Sequence, residues 1–201
     1  MILENKLHIY DPIKLAKVEE KICKKKALEL FDEKRLLNKE ENSFNTLLRI
    51  HKYLFEDIYD FAGQIRDMNI AKGHFHFVPV IYLSSALDSI ERMPQSTFDE
   101  IVEKYIEMNI AHPFCEGNGR SMRIWLNHIL KSEINKVIDW SQIGKSDFLA
   151  AMERSPIKDT EIKLLLKEAL TDKVNDRDIY MKGIDTSYHY EGYDSYHIKD
   201  L

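Results

Sequence analysis

Cysteine, glycine and proline are all scarce in this chain, and each scarcity excludes something. Two cysteines in 201 residues, Cys23 and Cys115, leave no disulfide scaffold and fit a reducing, cytoplasmic setting. Seven glycines and five prolines are too little punctuation for a many-stranded sheet. No apolar run approaches the roughly 18 residues of a membrane span, so no membrane is expected as a partner. The opening MILENKLHIYDP has no basic stretch followed by an apolar core and does not read as a secretory signal. Positive charge is not in excess either. Lys and Arg number 29 against 34 Asp and Glu, a net charge of −5, which speaks against nucleic acid as a partner and leaves room for a small basic pocket. What is present is 44% hydrophobic residues in a length that suits one domain. Such a chain buries roughly 70% of its unfolded surface without staples.

The apolar residues recur at helical spacing nearly everywhere. Stripes run through Leu15, Ile22, Leu28 and Phe31; through Leu47, Leu48, Leu54, Phe55 and Ile58, with Ser43 as N-cap and Gly63 past the end; through Ile81, Leu83, Leu87 and Ile90; through Ile101, Val102, Tyr105 and Ile106; and through Ile162, Leu165, Leu166, Ala169 and Leu170. An all-α bundle is expected. One stretch, residues 64–79, departs from it: Phe75 and Phe77 alternate with His74 and His76 after a turn offered by Ala71, Lys72 and Gly73, the pattern of a short hairpin. A lone hairpin is marginally stable, which makes it a flap over something else. Lys24, Lys25 and Lys26 read as a solvated helix face, and Lys72 as either solvent-facing or a partner contact. From Asn175 onward the chain is rich in Tyr and Asp and poor in aliphatics, the composition of either a disordered end or a short regulatory segment.

The chemistry concentrates in residues 112–123, HPFCEGNGRSMR. Pro113 stops the preceding helical stripe, and Met122, Trp125, Leu126, Ile129 and Leu130 begin another, so the glycines stand at a helix entrance. Exposed N–H groups there, with Gly117 and Gly119 free to take unusual dihedrals, form a concave donor site for an anion. Arg120, Arg123 and Asn127 follow at spacings of three and four, on one helix face opposite much of the apolar one. Two guanidinium forks suit an extended polyphosphate. Glu116 offers a hard oxygen beside that anion, as Mg²⁺ requires, and His112 is the nearby group suited to accept a proton near neutral pH. Together they describe phosphoryl or nucleotidyl transfer to an acceptor hydroxyl.

This run resembles the motif HPFx[D/E]GNGRxxR of the Fic family, the Fic/Doc superfamily of nucleotidyltransferases, at every specified position. The likeness extends from LENKLHIYDP through IHKYLFEDIYDFAGQIR and IAKGHFHF. It implies a helical Fic fold over residues 1–175 that transfers AMP from ATP to a Ser, Thr or Tyr hydroxyl of a target protein. By the same likeness His112 is the general base, Glu116 the Mg²⁺ ligand, Gly117, Asn118 and Gly119 the phosphate cradle, Arg120 and Arg123 the clamps on the outer phosphates, and Phe114 the core anchor of the loop. The hairpin becomes the flap on which a target segment docks by strand pairing. Doc-type relatives, which phosphorylate, carry lysine where this chain has Gly119, and that difference favours adenylylation.

Residues 187–192, SYHYEG, resemble the inhibitory motif [S/T]xxxE[G/N] of self-inhibited members, which makes 176–201 a regulatory segment with Ser187 and Glu191 as its key residues. A Glu191 carboxylate paired with Arg123 competes with a γ-phosphate. Tyr188 and Tyr193 beside it are candidates for self-modification, and association into a homo-oligomer is open. The resemblance also allows a bifunctional enzyme in which Glu191 orients a water that removes AMP. A non-catalytic nucleotide-binding interaction module is the competing class, disfavoured by the completeness of the motif. Blander readings carry less: a Cys115–His112 nucleophile pair lacks an oxyanion arrangement, and zinc on His74, His76 and Cys115 is explained more simply by strand alternation.

Overall fold

Asp11 starts the first helix by accepting the N–H groups of Ile13 and Lys14, with Pro12 at the first helical position, where its missing N–H is not needed. This computed structural model describes residues 3–33, 44–73 and 75–201. Along them run α1 (Pro12–Asp32), α2 (Phe44–Phe55), β1 (Ala71–Lys72), β2 (Phe75–His76), α3 (Val80–Glu91), α4 (Phe98–Ala111), α5 (Asn118–Ile134), β3 (Val137–Ile138), α6 (Lys145–Arg154), α7 (Thr160–Glu168), β4 (Leu170–Thr171) and α8 (Arg177–Tyr190). The expected helical bundle with one flap hairpin is what forms. A second two-stranded pair joins β3, just after α5, to β4, just after α7.

Helix α5 lies at the centre, packed by α2, α4, α8 and β3. Met122, Trp125, Leu126, Ile129 and Leu130 are fully buried, and so are the polar Asn118, Arg120, Ser121 and Arg123 at its start. A helix covered over most of its surface leaves little solvent face on which to put charges. The face shared by Arg120, Arg123 and Asn127 is covered as well, the two arginines buried and Asn127 half-buried. Asn127 uses its amide on the backbone of Ile138, donating at 3.2 Å and accepting at 2.8 Å.

Other stripes hold with local exceptions. Ile81 is 79% exposed while Leu83, Leu87 and Ile90 are buried. In α1 the buried line is Leu15, Glu19, Cys23, Ala27 and Leu30, with Glu20 and Lys24 beside it, whereas Ile22, Leu28 and Phe31 sit half-buried. Lys24 is 1% exposed, correcting the reading of a solvated lysine face; its ammonium pairs with Glu20 and Asp185, each at 2.9 Å, and donates to the Tyr196 carbonyl. A buried charge persists only when so paired. Lys26 in turn pairs with Glu56 and Asp57, and Lys25 is exposed.

The hairpin is tighter than expected. Ala71 and Lys72 are strand, paired with His76 and Phe75, and Gly73 stands in the turn. His74 and the N-cap Ser43 lie outside the described residues. The tail is ordered: α8 starts on an Asp176 cap, packs on α1 and α5, and buries Met181, Ile184, Ser187, Tyr188 and Tyr190. Among the described residues no helix is long and apolar enough to cross a membrane.

Candidate active site

Helix α4 ends where His112 takes a left-handed conformation, φ 50°, its N–H bonded to the Met108 carbonyl. Pro113 then turns the chain away. The imidazole stacks on Phe77 at 3.7 Å between ring centres, and its Nδ1 lies 3.3 Å from the Asn109 carbonyl. A carbonyl only accepts, so Nδ1 carries the hydrogen and Nε2 keeps a lone pair. Burial brings the His112 pKa down to about 4, against the opposing pull of the Asn109 carbonyl and the Glu191 carboxylate. At neutral pH the ring is thus a neutral proton acceptor.

Three side chains fold the loop that follows. Asn118 accepts the Phe114 N–H at 2.9 Å and donates to the Phe114 carbonyl at 2.7 Å, while Phe114 itself is wholly buried. His51 stacks on Phe114 at 3.7 Å, donates from Nε2 to the Glu116 carbonyl at 2.8 Å and accepts the Gly63 N–H at Nδ1. Arg66, 3% exposed, donates to the carbonyls of His112, Ala111, Met68 and Val78, and its own N–H bonds to the Pro113 carbonyl at 2.8 Å. It staples the base of the flap to the end of α4. Gly117 has φ 77°, and a Cβ there would lie 2.4 Å from the Phe55 ring, so only glycine brings the backbone this close.

Glu116 projects with its side chain 41% exposed. One oxygen accepts from the Gly117 N–H at 2.8 Å and from Arg120 at 2.7 Å. Arg120 is 1% exposed, paired with Glu19 from α1 as well as Glu116, and covered by the rings of Phe55 and Tyr193. Arg123 donates from Nε to the Ser187 hydroxyl at 2.7 Å and from one terminal nitrogen to the Ser187 carbonyl and to Glu191 Oε1 at 3.0 Å. Glu191 Oε2 is 3.5 Å from the Lys72 ammonium on the flap. Burial would raise the Glu191 carboxyl, yet Arg123 and then Lys72 overcome it and hold the pKa at about 2. Glu191 fills the space above Gly119: a Cβ there would lie 2.3 Å from Oε1.

The Fic/DOC family profile matches residues 42–130, which contain His112, the loop and most of α5. The chain carries a Fic/DOC domain. Among curated relatives, protein adenylyltransferase VbhT of Bartonella schoenbuchensis is 26% identical over 96% of this chain and 44% of that protein. The probable protein adenylyltransferase Fic of Escherichia coli is 25% identical over 63% of this chain and 68% of that one. This chain therefore spans less than half the length of VbhT. Among solved structures, BepC from Bartonella tribocorum with bound AMPPNP aligns over 85% of this chain and 93% of that one, with a TM-score of 0.71 at 20% identity, a likeness of fold.

Within this Fic domain the motif residues fall into two groups. His112, Glu116 and Gly119 lie on the loop and first turn that lead into α5, whereas Asn118 and Arg120 are spent on internal contacts. Arg120 thus stands corrected as a free fork: its guanidinium is sealed between two carboxylates and three rings, those of Phe55, Tyr188 and Tyr193. Among the described residues no cluster of three or more His, Cys, Asp or Glu side chains is arranged to hold a metal. Glu116 alone fits Mg²⁺ in the way that ion is commonly held, by one carboxylate oxygen together with phosphate oxygens. Cys115 is half-buried, and burial, reinforced by Asp67, raises its thiol pKa, contrary to a nucleophile's need.

In the tail, Ser187 and Glu191 meet Arg123, but Tyr188 is 2% exposed with its ring under Arg120 and Lys24. Its expected self-modification is corrected, since a hydroxyl so enclosed is out of reach of a reacting phosphorus. Tyr193 is half-buried. The sequence offered no signal for Glu19, whose partner Arg120 is 101 positions away, while Arg66 and His51 lie in the segments quoted for the family resemblance without a role there.

Proposed function

We propose that this domain transfers AMP from ATP to a Ser, Thr or Tyr hydroxyl of a target protein, and that docked Glu191 holds it inhibited. The observation that carries this reading is a neutral His112 whose Nε2 has no hydrogen-bond partner among the described residues, set beside the first turn of α5. The adenylyltransferase names of the curated relatives support the same reaction.

In that reaction the acceptor oxygen attacks the α-phosphorus and an O–P bond forms. The bond from that phosphorus to the bridging oxygen breaks, pyrophosphate leaves, and His112 Nε2 takes the hydroxyl proton. The N–H groups opening α5 and the Arg123 guanidinium stabilise the phosphate charge. Mg²⁺ held at Glu116 would neutralise phosphate oxygens, and Arg120 keeps that carboxylate in place. The exposed edge of β1 and β2 receives an extended target segment through main-chain hydrogen bonds. Glu191 occupies the Arg123 fork, the place an outer phosphate needs, with Ser187 setting the fork's orientation.

Intact-mass measurement of the chain and of candidate targets after MgATP treatment tests this directly. Glu191→Gly is expected to gain AMP adducts at least about tenfold faster than wild type, corresponding to about 1.4 kcal/mol of released inhibition, and His112→Ala to gain none. A protein that binds ATP yet leaves every mass unchanged in all three forms is a binding module instead.

A further inference from the structure

Lys72 ends β1, immediately before the hairpin turn, and its side chain is 68% exposed. Glu191 is the one carboxylate it pairs with among the described residues. That carboxylate is spanned by two cations from different parts of the fold, Oε1 by Arg123 of α5 at 3.0 Å and Oε2 by Lys72 of the flap at 3.5 Å. Any anion that replaces Glu191 at Arg123 therefore meets the second cation with neither side chain having to travel.

We propose that Lys72 is a nucleotide-binding residue, contacting the phosphate chain of ATP once Glu191 has left; this rests on the adenylyl-transfer reading above. The Lys72 charge is felt at both ends of the space a triphosphate has to bridge. It lowers the pKa of Glu191, at the Arg123 end, and that of His112, at the reacting end. The hairpin bearing it does not float. Arg66 binds carbonyls on both sides of its base, Met68 and Val78, and the same guanidinium grips the carbonyls of Ala111 and His112. The flap tip is thereby held in register with the base that takes the proton. The Lys72 half of the Glu191 contact, made by so exposed a lysine, adds little to stability, so exchanging its carboxylate partner for a phosphate costs little at that end. Phosphate offers more charge and more oxygens to the same ammonium.

Calorimetric titration with ATP, and separately with adenosine, tests the proposal in the Glu191→Gly background, where the competing carboxylate is gone. Lys72→Met is expected to weaken ATP binding about tenfold, to leave adenosine binding within twofold, and Lys72→Arg to restore most of the loss. With Glu191 present the same Lys72→Met change removes a restraint as well as a ligand, so its effect on ATP affinity is expected to be smaller. ATP affinity unchanged within twofold in the Glu191→Gly background overturns the proposal, as does an equal loss for adenosine. Binding is read without turnover. A Glu191→Gly protein that transfers no AMP thus counts against the adenylyl-transfer reading, while the Lys72 result is judged separately.

Discussion

Replacing Glu191 with glycine removes a carboxylate held by Arg123 at 3.0 Å and Lys72 at 3.5 Å, and the structure sets the size of the effect on nucleotide affinity. Burial opposes the ionised form, yet the two cations bring the pKa from 4.5 to about 2. That displacement corresponds to roughly 3 kcal/mol in favour of the docked carboxylate. The lysine end is exposed and screened, which lowers the usable figure to about 1.5–3 kcal/mol. Because the pKa is depressed, this contribution is whole above about pH 4.5 and fades as the pH falls toward 2. A phosphate that takes over Arg123 has to displace it, so wild type binds ATP about ten- to a hundredfold more weakly than Glu191→Gly at pH 7. Isothermal titration of both proteins with ATP reads this. AMP, which has no outer phosphates, serves as the control and is expected to change little. Equal ATP affinity in the two proteins refutes the competition between carboxylate and phosphate.

Three further outcomes follow from the same geometry. Gly119→Ala places a Cβ against Glu191 Oε1 and is expected to cost about 1–3 kcal/mol in wild type but little in Glu191→Gly; a double-mutant cycle of urea unfolding checks the coupling, and additive losses contradict it. Arg66→Ala strands four backbone carbonyls and is expected to lower stability by about 3 kcal/mol or more, with Arg66→Lys recovering less than half because an ammonium cannot replace the fork. A thermal unfolding loss under about 1 kcal/mol counts against the staple. Burial holds His51 and His112 at about 4, below the 6.5 of an open chain. The unfolded state then binds more protons between those values, and stability falls as pH drops through that window, by up to roughly 3 kcal/mol per ring. Imidazole NMR titration is expected to show both rings neutral at pH 5; midpoints near 6.5 contradict the burial.

The α4–loop–α5 unit was legible because its causes are local. Pro113 ends a helix, glycines open the next, and Asn118 bonds to Phe114 only four residues away. What escaped is long-range. Lys24 looks like part of a basic run until Asp185 and the Tyr196 carbonyl come to it from the other end of the chain. Glu19 looks like a surface residue until it meets Arg120. Helix α8 has few aliphatics because it packs tyrosines instead: Tyr188 and Tyr190 are buried and Tyr180 half-buried, and Tyr180 and Tyr190 donate to the carbonyls of Ala27 and Ile143. A periodicity search over aliphatic residues passes over such a helix. The Ser187–Glu191 spacing was visible in the sequence, but that these residues close on Arg123, together with Lys72 from the flap, is a fact of packing.

Label transfer from ATP to protein tests the proposed chemistry most directly. With Glu191→Gly and a target, or with the chain alone, ATP labelled at the α-phosphate should leave label on protein, and ATP labelled at the γ-phosphate should leave none. His112→Ala should abolish the signal. Label arriving from the γ-position, or α-label that persists without His112, would contradict the account.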